Sequence, residues 1–123
     1  MADPVLLVDD HPDARDVIRR FLEHHGYAVT TAVNGEDALD KLAAGLRPCL
    51  ILLDVMMPVM DGPTFAENLR RNRDRTLAET PIVLITGAFD VESAKKRSRA
   101  SDVIFKPVSF ETVGKVVGQH CRV

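Results

Sequence analysis

The chain has 123 residues, 46% of them hydrophobic, and a formal net charge of -2. That length supports one domain (residues 1–123) with its own core and leaves no room for a second, and the charge balance gives no electrostatic case for direct DNA binding. Cys49 and Cys121 are too few and too unpatterned for a disulfide framework or a zinc site, so both are expected as reduced thiols in a cytoplasmic protein; no run approaches the roughly 18 apolar residues of a membrane span.

Val5-Leu6-Leu7-Val8 is a short aliphatic run that ends in Asp9 and Asp10. His11-Pro12-Asp13 then starts a helix whose Ala14, Val17, Ile18, Phe21 and Leu22 share an apolar face until Gly26 stops it. Tyr27 to Val33 reads as a second strand, and Asn34 caps a helix with Ala38, Leu39, Leu42 and Ala43 on its buried stripe. Leu50-Ile51-Leu52-Leu53-Asp54, bounded by Pro48 and Pro58, has the length of a strand buried on both faces, although a helix fragment satisfies the periodicity too. Asp61-Gly62-Pro63 opens a helix carrying Phe65, Ala66 and Leu69, which runs out into the polar segment from Arg70 to Glu79.

Ile82-Val83-Leu84-Ile85 is a fourth buried-type strand, ending at Thr86-Gly87. The helix expected over Asp90 to Ala100 has only Val91 and Ala94 as an apolar stripe, which predicts the loosest packing. Val103-Ile104-Phe105 is the fifth strand and leads into Lys106-Pro107. Ser109 caps a last helix with Phe110, Val113, Val116 and Val117 turned inward. The alternation is (βα)5, an α/β fold with a parallel sheet and helices on both faces. Every strand end then points the same way, so Asp9, Asp10, Asp54, Thr86 and Lys106 converge on the edge where such sheets bind ligands.

Three carboxylates gathered there repel one another by roughly 4 kcal/mol per pair in a medium of effective dielectric near about 20. Either protons or a hard dication with oxygen ligands relieve that repulsion, and Mg2+ is the ion that keeps waters and accepts phosphate oxygens. Lys106 supplies a positive charge for an incoming anion and Thr86 a hydroxyl. The set suits a phosphoryl group carried on Asp54, whose ionised carboxylate needs no general base.

In these residues the chain resembles the receiver domain of two-component response regulators over essentially its whole length. The matching pieces are Asp9-Asp10, Asp54 with Met57-Pro58 and Asp61-Gly62, Thr86, and Lys106-Pro107, each at a strand terminus. The resemblance implies a flavodoxin-like three-layer sandwich with sheet order 2-1-3-4-5. It implies Asp54 as phosphoacceptor, and Mg2+ held by Asp10, Asp54 and the Met56 backbone carbonyl, with Asp9 acting through water. Thr86 and Lys106 would grip the phosphoryl oxygens, and the Lys106-Pro107 peptide would be cis.

The implied partners are a histidine kinase or histidine phosphotransfer protein and a downstream protein. A homodimer through the fourth helix, fifth strand and fifth helix is a further possibility, and no membrane is involved. The switch positions are Thr86, Val103 and Pro107. Val103 departs from the family, which usually carries Tyr or Phe there, and Phe89 is a candidate replacement. Gly87 stands where Ala is common, and Arg99 where a helix-ending Gly is often found.

Nothing after Val123 could serve as an output domain, so a stand-alone receiver is expected; a piece of a larger regulator or hybrid kinase would look the same. An aspartyl-nucleophile phosphohydrolase of the haloacid-dehalogenase type wants a second Asp where Met56 stands, and a flavin site is opposed by Asp9-Asp10 at the first loop. His11 reads as a solvent-facing loop residue, with a tuning role beside the acidic pair as the alternative; His24, His25 and His120 read as surface side chains. The basic runs Arg70, Arg71, Arg73, Arg75 and Lys95, Lys96, Arg97, Arg99 read as solvated helix faces, with contact to an acidic partner or RNA as the alternative.

Overall fold

A computed structural model describes residues 3–87 and 91–123. Five parallel strands, β1 (Val5–Val8), β2 (Val29–Ala32), β3 (Leu50–Asp54), β4 (Ile82–Thr86) and β5 (Asp102–Phe105), form one sheet in the order β2-β1-β3-β4-β5. The helices between and after them are α1 (Pro12–His24), α2 (Gly35–Ala43), α3 (Gly62–Arg70), α4 (Arg75–Ala78), α5 (Val91–Ser98) and α6 (Phe110–His120). The expected topology and sheet order are met. The short α4 is an addition, capped by the Asp74 side chain inside what reads as a polar run-out. The fourth and fifth predicted helices are therefore α5 and α6.

Alternate strand residues serve opposite faces. Leu6, Val8, Ile51, Leu53, Ile82 and Leu84 pack under α2, α3, α4 and α5, where Phe65 and Leu69 are the largest helical contributors. Val5, Leu7, Leu50, Leu52, Val83 and Ile85 pack under α1 and α6 through Ile18, Leu22, Val113 and Val117. Both cores are thus continuous through the sheet, which explains why the central strands are apolar at every position rather than at alternate ones.

The helix stripes need correction at their ends. Ala14 and Ala43 are exposed, Val17 is 48% exposed and Phe110 44%; Phe110 lies outside the core and stacks on Phe21 with ring centroids 4.8 Å apart. Gly26 and Gly45 follow their helices at φ 92° and 116°, as helix-stopping glycines do, and Arg99 takes the same left-handed region at φ 50°. The expected oddity at the end of α5 is real. Phe89 and Asp90 lie outside the described residues.

The cysteine expectation is overturned: Cys49 and Cys121 are joined by a disulfide, with Cα atoms 5.5 Å apart across a sequence separation of 72. Cys49 directly precedes β3 and Cys121 directly follows α6, so the fold brings to one place two residues that no local pattern connects. Arg70 is a second correction. It is half-buried and donates to the carbonyls of Ala78, Thr80, Ser98 and Arg99, tying the segments that feed β4 and β5.

Candidate functional site

The strand ends converge as the topology requires. Asp54 closes β3 with only 1% of its surface exposed, opposite Ile85 in register, and Asp9 follows β1 at 3% exposure. Lys106 follows β5 and brings its Nζ to 3.4 Å from Asp54 Oδ1. Thr86 ends β4, buried at 4%, and its carbonyl accepts the Lys106 backbone N–H at 2.9 Å. That bond ties the two residues expected to handle one anion.

The carboxylates are held but not satisfied. Asp9 Oδ1 accepts the His11 amide at 2.9 Å, and Asp54 Oδ1 accepts the Met56 amide at 3.3 Å. Asp54 Oδ2 is buried without a hydrogen-bond partner, and Asp10 Oδ1, buried too, has only the His11 ring beside it. Buried polar atoms are ordinarily paired, and an unpaired carboxylate oxygen carries the full desolvation cost. Burial accordingly pushes the Asp54 carboxyl above the usual carboxylate range, with Asp9 repulsion adding to it and the Lys106 ammonium and Met56 amide opposing it. Asp9, Asp10, Asp54 and His11 each offer a ligand atom within 4.8 Å of the others. An oxygen-rich, under-neutralised cluster of this kind fits a hard divalent cation.

Two features hold the loop after β3 in place. Met60 N–H bonds the Pro58 carbonyl at 2.8 Å across Val59 at φ 73°, a γ-turn that forces a β-branched residue into the left-handed region. Gly62, whose amide bonds the Val55 carbonyl, lies so close to β3 that a Cβ on it would stand 2.5 Å from the Asp54 carbonyl oxygen. The Asp61-Gly62 pair thus has a packing reason: Asp61 caps α3 through Thr64 N–H at 2.8 Å, and only glycine lets that helix start against the Asp54 backbone.

Two side chains near the site go beyond the sequence reading. His11 is 69% exposed, yet its Nδ1 turns to 3.2 Å from Asp10 Oδ1 and 3.8 Å from Asp9 Oδ1. Phe105 is 58% exposed and stands opposite Thr86 in the β4–β5 register, whereas Val103, the departing switch position, is half-buried against the α2–α5 core. Pairing of β5 with β4 was the only signal for Phe105, and a sequence pattern does not supply it. Met56 is 67% exposed. The Lys106-Pro107 peptide is cis, as expected.

The response regulator receiver domain family profile matches residues 5–117. The chain belongs to this family. It is 34% identical over 116 residues to the protein PilH of Pseudomonas aeruginosa, covering 92% of the chain and 93% of PilH. It is 37% identical over 109 residues to the response regulator MprA of Mycolicibacterium vanbaalenii, covering 87% of the chain and 45% of MprA. It therefore spans less than half the length of MprA. The chemotaxis protein CheY4 of Vibrio cholerae superposes with a TM-score of 0.87 at 32% identity, covering 98% of this chain and 99% of that one. The receiver is a two-component signalling domain, and receiver domains act between histidine kinases and downstream effectors.

Proposed function

We propose that this receiver accepts a phosphoryl group on Asp54 from a phosphohistidine of a histidine kinase or histidine phosphotransfer protein. The observation that carries this reading is the 3.4 Å approach of Lys106 to an Asp54 carboxylate that also shares its pocket with Asp9 and Asp10. An Asp54 oxygen attacks phosphorus, the bond from phosphorus to the donor imidazole nitrogen breaks, and that nitrogen keeps the electron pair and takes a proton. Lys106 binds the transferred oxygens, and Thr86 supplies its hydroxyl to them. Asp10, Asp54 and the Met56 carbonyl would hold Mg2+, with Asp9 behind them; the ion, when bound, neutralises charge on the transferred oxygens.

The donor has a route in. An apolar cleft lined by Val17, Ile18, Ile85, Val108 and Phe110 opens beside Asp9 and Lys106, and its rim residues Val17 and Phe110 are exposed. A helix bearing the phosphohistidine fits such a rim. The domain is read as a single receiver that catalyses only its own phosphorylation and dephosphorylation and does not contact DNA itself; a cytoplasmic location rests on its signalling role, since the Cys49–Cys121 disulfide removes the reduced-thiol argument.

Output passes through the face of α5, β5 and α6 to a downstream protein or a second copy of the chain. With Val103 at the usual aromatic position, Phe105 is, among the described residues, an aromatic side chain placed to follow Thr86.

The test exposes the protein to Mg2+ and beryllofluoride or a small acyl phosphate, and repeats this with Asp54→Asn. One adduct per chain is expected by mass spectrometry under native conditions, and none in the variant. An adduct that persists in Asp54→Asn removes Asp54 from its role.

A further inference from the structure

We propose that His11 is a ligand of the cation site, adding an imidazole nitrogen to the carboxylate oxygens and giving the pocket a preference for first-row transition ions over Mg2+. The inference rests on the cation site read above and extends its donor set.

The geometry is that of a coordination shell. Around an ion with bonds about 2.1 Å long, neighbouring donors stand about 3 Å apart and opposite ones about 4 Å. His11 Nδ1 is 3.2 Å from Asp10 Oδ1 and 3.8 Å from Asp9 Oδ1, and all four donor atoms, with that of Asp54, lie within 4.8 Å of one another. The contraction needed to close on an ion is small, and the loop is already set for it: the His11 amide is bonded to Asp9, and the Arg15 guanidinium holds the Asp9 carbonyl at 2.8 Å.

Asp54 Oδ2, on a residue with 1% of its surface exposed and with no hydrogen bond, marks the cluster as a site rather than a chance gathering of acids. His11 is free of structural duty at the helix start, since it stands at the N-cap of α1 and its side chain makes no capping bond there.

Chemistry then sets the selectivity. Mg2+ takes oxygen ligands and gains little from an imidazole, whereas Mn2+, Co2+ and Zn2+ accept nitrogen and bind mixed N/O sets more tightly along the Irving–Williams order. A transition ion seated on His11 would share Asp10 and Asp54 with the Mg2+ position and so compete with it. Phosphoryl acceptance would then depend on which ion is available.

The experiment measures Mg2+ and Co2+ binding to the full chain by calorimetry, and Mn2+ binding by pulsed electron paramagnetic resonance, for the wild type, His11→Ala and the control His24→Ala/His25→Ala. The expected result is nitrogen modulation on bound Mn2+ that disappears in His11→Ala and survives in the control. Co2+ affinity should fall at least tenfold in His11→Ala while Mg2+ affinity changes less than about twofold. Normal Mg2+ binding without nitrogen modulation, or equal losses for both ions, overturns the His11 role and leaves the acidic site standing. A wild type that binds none of the three ions overturns the site and the His11 role together.

Discussion

The two edges of the sheet are built on opposite rules, and β3 shows both. At its start sits Cys49, cross-linked to Cys121; at its end sits Asp54 with an unpaired buried oxygen. The starting edge is closed: besides the disulfide, Arg70 spends its guanidinium on the carbonyls of Ala78, Thr80, Ser98 and Arg99. Its one loose end among the described residues is the Ser98 hydroxyl, neutral and therefore cheaper to leave unpaired than a carboxylate. The finishing edge concentrates like charge and leaves it partly unmet. Stability is supplied at one edge and drawn on at the other, which is how a fold can hold a carboxylate dry and under-neutralised.

Each half of that contrast can be broken separately. The largest effect is expected from the cross-link. Cys49→Ser with Cys121→Ser, or reduction of the wild type, frees a long loop of the unfolded chain and should lower stability by about 4 kcal/mol. Urea unfolding with and without a reductant reads this directly, and an unchanged midpoint would contradict the closed-edge account. Beryllofluoride binding should persist in the folded variant, because the bond lies at the far edge from Asp54.

Removing Arg70 comes next. Arg70→Met should cost about 3 kcal/mol, since it strands buried carbonyls, and Arg70→Lys should recover little because one ammonium cannot span the four acceptors. Equal stability of the lysine variant and the wild type would show that charge, and not the planar fork, is what matters there.

The smallest effect belongs to the open edge and has a sign. The Asp54 carboxyl is raised in the folded state, chiefly by burial, so the native protein binds that proton more tightly than the unfolded chain does. Stability is therefore lost as pH rises from the unfolded carboxyl value of about 3.9 through the raised native one, and the cost stays in force above it. In chelator, Asp54→Asn should gain on the order of 1 kcal/mol over the wild type near neutral pH and converge with it in acid. A gain that does not shrink on acidification would trace to something other than ionisation of Asp54.

The contrast also sorts what the sequence disclosed. The open edge was legible because parallel topology puts every strand terminus on one side, so polar residues at the ends of Val5–Val8, Leu50–Asp54, Ile82–Thr86 and Asp102–Phe105 had to meet. Nothing equivalent announces the closed edge. Cys49 and Cys121 are far apart in sequence and belong to no repeating pattern, and Arg70 opens an arginine-rich stretch that looks solvent-facing until α4 folds back beneath it. Phe110 misled for a related reason: it is apolar, but it is the first residue of α6, and its half-exposed ring stacks on Phe21 instead of entering the core.

Gly62 gives Asp54 an unusual mechanical neighbour. With space at that position too small for even a methyl group, the first turn of α3 rests on the peptide that carries Asp54. A partner that nudges this turn sideways would displace Asp54 with no side chain between them to absorb the movement. Grip on one short helix is thus a direct handle on the position of that carboxylate.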